Sequence, residues 1–321
     1  MENPALSLKW HDRTFTEGFT QSELSLFDEC ALKHNFRYNN LLERQDTMNW
    51  YFYIGDAWHT FQQKLRQAKG NIDFNICYFP EIPPNVTRDN VFEQQLDLWN
   101  NIMPAYQAAY AKLYAAELAD DFFIIEKELS VKFNGFTIRG KVDLASNKKG
   151  NVFIRDFKTT KSAWFLTKEG WHFKLQFMLY SWLMLKCYPE WRQFPFFNFQ
   201  MDIMQKPALK QTKNETWPAH VQRVKADIFA RAEEHYFDRQ TAPMTPEAID
   251  RFEKEVLIPK VNILNLIFEN RDDMLPVITN PNTNACNAFN TQCEFFHICD
   301  KGWKVARGNF SLRNAKHQEL E

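Results

Sequence analysis

Apolar residues recur at helical spacing in two segments near the start of the chain, residues 22–38 and residues 51–65. The first segment carries its apolar face on Leu24, Phe27, Ala31 and, one turn on, His34. The second carries it on Ile54, Trp58, Phe61 and Leu65. This spacing of three and four residues predicts a helix in each segment. A further helix is predicted over residues 105–118, whereas the prolines within residues 78–100 favour a loop there.

The periodicity then shortens, and three β-rich runs follow one another at residues 122–131, 136–145 and 152–157. Asn134-Gly135 separates the first two runs, and the polar segment 147–151 separates the second from the third. Turn residues of this kind join antiparallel strands. The runs therefore predict three strands that are joined by two hairpins.

An apolar helix over residues 171–186 and a strand over residues 194–204 complete the predicted core. Farther on, Thr245 followed by Pro246 is typical of the start of a helix. The order strand–strand–strand–helix–strand, with helices before and after it, predicts a mixed α/β core inside helical elaborations.

The domain organisation is predicted to be simple, because no internal repeat, low-complexity tract or flexible linker marks a boundary. We expect one domain over residues 1–321. Its parts are a core at about 50–205, a helical insertion at about 70–120, and a C-terminal helical and cysteine-rich region at about 215–305.

Composition excludes several classes of protein. Hydrophobic residues make up 45% of the chain and charged residues 25%, with only 9 glycines, which rules out disordered and collagen-like chains. Six cysteines in 321 residues are too few for a disulfide scaffold. The first residues lack a signal-peptide pattern, and the apolar run 175–185 is shorter than the about 20 residues that span a membrane. We therefore expect a soluble, cytoplasmic protein with reduced thiols and no membrane association.

Charge is unevenly distributed although the net charge is only −1. Residues 132–161 contain eight basic residues but only two acids, Asp143 and Asp156. The basic residues are Lys132, Arg139, Lys141, Lys148, Lys149, Arg155, Lys158 and Lys161. Cations around two carboxylates suit a polyanion that binds beside a metal ion. A solvated hairpin surface is the alternative that charge alone favours.

Two carboxylates and a lysine on the predicted hairpin form the candidate catalytic group. Asp156 and Lys158 are two apart on one strand and point to the same face, and the hairpin lets Asp143 meet Asp156. Two carboxylates in an apolar sheet repel each other unless a cation lies between them, and oxygen ligands select Mg²⁺ or Mn²⁺. A neighbouring lysine can orient or deprotonate a water. Acids and lysines also alternate on many exposed hairpins, so the pattern alone is weak.

Two pairs at helical spacing strengthen this hypothesis. Gln176 and Tyr180 are polar positions one turn apart on an otherwise apolar helix, and Gly55 and His59 are one turn apart on an earlier helix. We expect Gly55 to let its helix approach another backbone closely, so that His59 projects into a site. The alternatives are a helix edge that reaches solvent and a histidine with a structural role.

Taken in order, five groups of residues form a recognisable series. They are Gly55-x3-His59, Glu126, Gly140-x2-Asp143, Asp156-x-Lys158 and Gln176-x3-Tyr180. Over about residues 22–300 this series resembles the RecB-type branch of the PD-(D/E)XK nuclease superfamily. Its members include nuclease domains of recombination helicase–nucleases, CRISPR-associated adaptation exonucleases and phage recombination exonucleases. The resemblance implies a restriction-endonuclease-like mixed central sheet that is flanked by helices.

The resemblance also implies a role for each matching residue. The catalytic Mg²⁺ or Mn²⁺ would be bound by His59, Asp143, Asp156 and the backbone carbonyl of Phe157. Glu126 resembles an additional metal-binding carboxylate, and Glu128 competes with it for that role. Lys158 would position the attacking water and stabilise the phosphate, and Gln176 would hold Lys158 or a phosphate. Tyr180 would contact the nucleic-acid backbone. Independently of the resemblance, the basic charge at the hairpin tip makes Lys148 and Lys149 candidate DNA contacts.

The implied activity is metal-dependent DNA exonuclease cleavage in recombination, repair or phage DNA processing, in a bacterial cell or a phage-infected host. A helicase or a single-strand-binding protein would be a partner. The alternative is a catalytically weak DNA-binding or scaffold subunit of a helicase–nuclease assembly.

Four cysteines form a second candidate site, with Cys30 near the start and Cys286, Cys293 and Cys299 near the end. This arrangement resembles the iron–sulfur staple of several nucleases of the same branch, and four thiolates are what a [4Fe–4S] cluster requires. We expect Cys30 on the first helix, and a cluster that staples the two ends of the chain together. Six residues lie between Cys286 and Cys293, instead of the two usual in that family. The alternatives are buried thiols or a zinc site that recruits His34 or His297.

Overall fold

The computed structural model describes residues 18–44, 50–82, 90–148, 151–160, 175–269, 282–290, 292–313, 317 and 320. A six-stranded mixed sheet forms its centre, with strand order β1-β4-β5-β6-β7 and β3 paired to β4. The strands are β1 (Phe19–Thr20), β3 (Ile124–Phe133), β4 (Phe136–Lys148), β5 (Asn151–Thr160), β6 (Phe197–Gln205) and β7 (Phe237–Met244). A separate antiparallel pair joins β2 (Leu42–Arg44) to β8 (Phe310–Leu312).

Helices surround this sheet. They are α1 (Gln21–Glu29), α2 (Ala31–His34), α3 (Trp50–Gln67), α4 (Asn90–Leu113), α5 (Ala115–Leu118), α6 (Leu175–Cys187), α7 (Trp217–Ala230), α8 (Pro246–Phe252), α9 (Ile258–Glu269), α10 (Phe296–Lys301) and α11 (Trp303–Ala306). None of the helices that the structure describes is long and apolar enough to cross a membrane.

Pairing directions follow from the connections. β3–β4, β4–β5 and β6–β7 are antiparallel, whereas β5 and β6 are parallel. Parallel strands require a crossover, and α6 lies in the connection between β5 and β6. The sheet is therefore mixed, as the sequence predicts.

The sheet carries a separate apolar cluster on each face. On β5, Ile154 packs in a cluster with Leu179 and Trp182 of α6, whereas its neighbour Phe153 packs with Trp58 of α3 and helix α4. Successive side chains of a strand point to opposite faces, so these two clusters place helices on both sides of the sheet.

A third, smaller cluster joins the two ends of the chain. Phe36 packs against Phe295 with ring centroids 5.5 Å apart, and Phe295 stacks on Phe310. Arg37 forms an ion pair of 2.7 Å with Glu294. The N-terminal segment therefore packs against the C-terminal one through ordinary apolar and ionic contacts.

The predicted strands are confirmed, with β4 and β5 each extending beyond the predicted run. Thr245 caps α8 as expected, because its hydroxyl accepts a hydrogen bond from the amide of Ala248. The sequence also predicts that Asp143 lies at the end of its strand, but β4 continues past it to Lys148. The extension arises because the hairpin with β5 continues pairing through Lys148 and Asn151.

Two helix predictions need correction. Residues 90–100, predicted as loop, form the first part of α4, whose buried face begins at Phe92 and includes Trp99. The prolines of this region precede the helix, and Pro104 is accommodated inside it. The predicted helix over 105–118 breaks at Tyr114, between α4 and α5. The first four residues of the predicted helix 171–186 lie outside the described residues.

Cys30 does not lie on a helix, contrary to expectation. Its backbone is extended (φ −162°, ψ 112°) and separates α1 from α2. The side chain of Asn282 donates a 2.8 Å hydrogen bond to the carbonyl of Glu29. This long-range bond takes an acceptor that a continuous helix would have used, so the helix ends there.

Candidate metal and nuclease site

Strands β4 and β5 stop pairing next to the predicted catalytic residues. Their last pair toward the site is Leu144 with Arg155, so Asp143 and Asp156 follow immediately after it. The amide of Phe157 donates a 2.8 Å hydrogen bond to Oδ2 of Asp143. The Asp143 carboxylate thus accepts the hydrogen bond of the Phe157 amide, which has no backbone partner on β4. The separated strands leave room for a site.

Three side chains converge where the strands separate. One ligand atom from each of His59, Glu126 and Asp143 lies within 4.8 Å of the others. Nδ1 of His59 is 3.4 Å from Oδ2 of Asp143 and 3.8 Å from Oε1 of Glu126. The two carboxylate side chains are only 7% and 9% exposed. The group therefore offers one imidazole nitrogen and two carboxylate oxygens from inside the fold.

Glu126 is held in an unusual conformation. Its φ of 46° lies in the left-handed region, which a glutamate adopts only under constraint. Its Oε1 is buried and makes no hydrogen bond within the described residues. A buried acceptor without a donor is costly unless a cation meets it, so this atom fits a metal ligand. The pairs Ile125–Leu144 and Lys127–Val142 place Glu126 opposite Asp143.

This donor set suits a divalent cation. Carboxylate oxygens suit Mg²⁺ and Mn²⁺, and an imidazole nitrogen adds affinity for a transition ion. The predicted ligands His59 and Asp143, and the candidate Glu126, thus lie together. Glu128 instead accepts a 2.7 Å hydrogen bond from Arg139 at the surface. Of the two competing glutamates, Glu126 is therefore the one that enters the site.

Asp156 lies beside this group rather than within it. Its Oδ2 is 2.7 Å from Nζ of Lys158, and its Oδ1 accepts a 3.0 Å hydrogen bond from Nε2 of Gln176. The same amide is 3.5 Å from the hydroxyl of Tyr180. The structure thus brings together the predicted residues of β5 and α6. That Asp156 and the carbonyl of Phe157 bind the metal stays a prediction.

The electrostatics of the site are those of buried, mutually compensating charges. Burial raises the pKa of Asp143, and the nearby carboxylates add to this effect, while His59 and Lys158 oppose it. Burial acts to lower the pKa of His59, but Asp143 and Glu126 outweigh it and raise that pKa. Asp156 and Asp143 likewise outweigh burial and raise the pKa of Lys158. The two carboxylates therefore favour the charged form of Lys158.

Two residues near the site have no role in the motifs that the sequence predicts. Lys141 places its ammonium 3.5 Å from Oε2 of Glu126. Asp56 lies one turn before His59. Burial raises the pKa of Asp56, and this effect outweighs the opposing effects of His59 and Lys141. Both could have been noticed from spacing, since Asp56 precedes His59 by three residues and Lys141 precedes Asp143 by two.

An aromatic contact connects the site to the helical layer. The ring of Phe157 lies edge-on to His59 at 6.0 Å, and the guanidinium of Arg66 covers it at 4.7 Å. Arg66 also donates a 2.8 Å hydrogen bond to Tyr110. Because Arg66 and His59 lie on the same helix, this contact fixes α3 against β5. No sequence motif indicates it.

The two glycines of the predicted motifs differ. A Cβ atom at Gly140 would lie 2.8 Å from Leu183 Cδ1 and 3.0 Å from Tyr180 Cε1, so α6 packs directly on this backbone. Among the described residues, a Cβ atom at Gly55 would meet only Thr159 Oγ1, at an ordinary 3.6 Å. Within this part of the chain, Gly55 therefore makes no close approach to another backbone, contrary to expectation.

The predicted basic surface is largely neutralised by acids from outside its sequence window. Lys148 pairs with Asp120 at 2.8 Å, and Arg139 and Lys141 pair with glutamates of β3. Arg155 is buried and donates a 3.0 Å hydrogen bond to Glu117. Lys149 and Lys161 lie outside the described residues. The local excess of positive charge in the sequence thus does not give an equal excess at the surface.

A buried ionic network lies under β5 and was not predicted. Glu117 accepts hydrogen bonds from Arg155 and, at 2.7 Å, from Arg239, and lies 3.7 Å from Arg66. Asp202 accepts a 2.6 Å hydrogen bond from Arg239. These partners come from distant parts of the chain, so no local pattern shows the network.

The four predicted cysteines line one pocket, together with Lys33 and the rings of Phe36, Phe295 and Phe296. Burial raises the pKa of the Cys299 thiol to about 12, and the three other cysteines contribute to the rise. The backbone amide of Cys293 donates a 2.8 Å hydrogen bond to the carbonyl of Cys286. This hydrogen bond brings the backbones of the two cysteines together despite the six residues between them.

The zinc alternative fits this pocket less well. A tetrahedral Zn–S bond of about 2.3 Å places sulfurs about 3.8 Å apart. Among the described residues, no three of these sulfurs, with or without a histidine, lie within 4.8 Å of one another. His34 is also engaged elsewhere, with Nε2 3.0 Å from Oε1 of Glu23.

Comparison with known proteins agrees with the geometry. No curated protein matches the chain. A family model does match it over residues 18–300, a range that contains both the candidate metal-binding group and the four cysteines, and its description is the PD-(D/E)XK nuclease superfamily. The match covers most of the 321 residues, and the chain therefore belongs to the PD-(D/E)XK nuclease superfamily.

Proposed function

We propose that the protein is a divalent-metal-dependent DNA exonuclease of the RecB-type branch, acting in recombination, repair or phage DNA processing. One observation carries this proposal. His59, Glu126 and Asp143 converge where β4 and β5 separate, next to the ion pair of Asp156 with Lys158. Cation ligands beside a fixed ammonium are the groups that phosphodiester hydrolysis requires.

Lys158, Asp156 and Gln176 have different roles in the proposed reaction. The divalent ion, when bound, activates a water and neutralises charge on the phosphate. Lys158 stays protonated beside Asp156 and can donate to a phosphate oxygen and to the attacking water. Gln176 donates to Asp156, so it holds Lys158 through that carboxylate rather than directly.

Tyr180 supports the same arrangement from α6. Its hydroxyl lies next to Gln176, and its ring packs on Gly140 of β4. The phenol is half-buried, so it can reach a sugar–phosphate backbone while its ring stays packed. Lys148 and Lys149 remain proposed DNA contacts, and Lys148 would exchange its ion pair with Asp120 for a phosphate.

The alternative, a catalytically weak scaffold subunit, is disfavoured by the side chains themselves. Asp143, Asp156 and Lys158 are all present, and they lie together at one point of the sheet. A degenerate site would have lost one of them. A helicase or a single-strand-binding protein is the partner we propose for strand separation.

We further propose that Cys30, Cys286, Cys293 and Cys299 bind a [4Fe–4S] cluster. Their shared pocket and its aromatic wall support this cluster. Soft thiolates favour iron–sulfur over a hard cation. The cluster would reinforce a junction that Phe36 and Phe295 already pack.

The activity is tested by supplying linear and covalently closed circular DNA in parallel, each with Mg²⁺, with Mn²⁺ and with chelator. An exonuclease degrades linear DNA stepwise from its ends and leaves the closed circle intact. Degradation of both forms would assign an endonuclease to the same site. Full activity in chelator would overturn the metal-dependent mechanism.

A further inference from the structure

Lys141 occupies an unusual position on the β3–β4 hairpin. The strand register places it directly opposite Glu128, where a cross-strand ion pair would be expected. Glu128 instead accepts a hydrogen bond from Arg139, and the Lys141 ammonium points diagonally to Glu126. Lys141 is therefore directed toward the candidate metal site and not toward the surface pair that its register offers.

The hydrogen-bonding capacity of Lys141 is largely unused. Its Nζ lies 3.5 Å from Oε2 of Glu126, and within the described parts of the chain it donates no hydrogen bond. Other cations of the same window are engaged more closely, as Lys148 is with Asp120 at 2.8 Å and Lys158 with Asp156 at 2.7 Å. An ammonium has three donors, and the side chain of Lys141 is 29% exposed, so an incoming anion can reach it.

Lys141 and Lys158 lie at opposite ends of one row of carboxylates. Glu126 on β3 and Asp156 on β5 flank Asp143 on the central strand. Nζ of Lys141 lies 3.5 Å from Oε2 of Glu126, and Nζ of Lys158 lies 2.7 Å from Oδ2 of Asp156. A strand that is cleaved at this row has phosphates on both sides of the scissile bond. One ammonium is thus available for each side.

We propose that Lys141 binds a phosphate of the nucleic-acid backbone next to the scissile bond, at the end of the carboxylate row opposite Lys158. This inference rests on the proposed nuclease function. A lysine that meets a phosphate as a point charge reads no base, so the contact strengthens binding equally for all sequences. It also releases one condensed counterion, which makes the contact visible in the salt dependence of binding.

The test compares Lys141→Met with Lys112→Met, a matched control at an exposed lysine of α4, a helix with no side chain in the site. Affinity for a fluorescein-labelled duplex is measured by anisotropy in Ca²⁺, over about 50 to 200 mM salt. We expect the slope of log K against log salt to become shallower by about 0.9 for K141M only. The ratio of the wild-type DNA affinity to the K141M affinity then falls about 3.5-fold between the lowest and the highest salt concentration. Lys141→Arg should keep the wild-type slope.

A second measurement separates this role from a structural one. Mn²⁺ affinity without DNA should be at least as high in K141M as in wild type, because removing a cation beside Glu126 does not weaken a cation site. An unchanged salt slope with weakened Mn²⁺ binding would overturn the inference and assign Lys141 to holding Glu126. If the wild type neither binds nor cuts DNA, the proposed function itself fails. If it does both and K141M keeps the slope, only the Lys141 contact fails.

Discussion

The amide of Phe157 donates a 2.8 Å hydrogen bond to Oδ2 of Asp143, across the point where β4 and β5 separate. This bond fixes one carboxylate oxygen of Asp143 and orients the carboxylate toward His59. It comes from the residue between Asp156 and Lys158, so one short segment of β5 positions both parts of the site.

The donor set predicts a preference for Mn²⁺ over Mg²⁺, because an imidazole joins two carboxylates. Calorimetric titration without DNA should show tighter Mn²⁺ binding. Glu126→Gln should weaken it by about tenfold or more, since a charged ligand becomes neutral. Glu128→Gln is the control, because Glu128 is paired with Arg139 outside the site. Equal losses in the two variants would mean that Glu126 is not a ligand.

The two motif glycines should respond in opposite directions to alanine. Gly140→Ala forces Leu183 and Tyr180 away from β4, and we expect a loss of about 1–3 kcal/mol in the free energy of unfolding. Gly55→Ala meets no close atom among the described residues and should stabilise α3 by about 0.5–1 kcal/mol. Urea unfolding of both variants measures this difference. A destabilised G55A protein would contradict the packing described for α3.

The buried ionic network predicts a pH-dependent contribution to stability. Burial acts to raise the pKa of Glu117, but three neighbouring arginines outweigh it and lower that pKa to about 2. The ionised Glu117 therefore stabilises the fold at pH values above its ordinary pKa of 4.5. This stabilisation is lost as the pH falls toward 2 and the carboxylate takes up a proton.

Glu117→Gln should therefore cost about 3 kcal/mol at neutral pH, because buried arginines lose their charged partner. The cost should diminish below pH 4.5. Urea unfolding at neutral and acidic pH gives both values, with Glu233→Gln as an exposed control. A cost independent of pH would mean that the charge of Glu117 does not matter.

The cysteine pocket predicts a brown protein when purification excludes oxygen. We expect broad visible absorption with bound iron and sulfide. Cys293→Ser should remove the colour and lower the melting temperature, because the link between the two chain ends is lost. Cys187→Ser is the control, since Cys187 lies on α6, away from this pocket. Colourless anaerobic protein that holds zinc, or no metal, would overturn the cluster and leave the nuclease assignment intact.

The sequence shows the strands and therefore much of the site. The alternation of side chains predicts β3, β4 and β5, and the hairpin between β4 and β5 predicts that Asp143 and Asp156 meet. The same alternation places Glu126 and Glu128 on one face, so it cannot choose between them. The strand register separates their roles, because it places Glu126 opposite Asp143 and Glu128 opposite Lys141.

Other features depend on residues that are distant in the sequence. At the break before α2, the carbonyl of Glu29 accepts a hydrogen bond from the distant Asn282, and the neutralised basic window follows from acids such as Asp120 and Glu117. Motif spacing also cannot tell which glycine is packed, and the structure shows that it is Gly140. Such long-range partners are fixed only when the chain folds.

The most direct test of the proposed function is digestion of end-labelled single- and double-stranded DNA by the wild type and by Asp156→Ala and Lys158→Ala. We expect cleavage with Mg²⁺ or Mn²⁺ that leaves 5′-phosphates, no cleavage in chelator, and none by either variant, while both variants keep the wild-type melting temperature. Cleavage by either folded variant at the wild-type rate would contradict the site built on Asp143, Asp156 and Lys158.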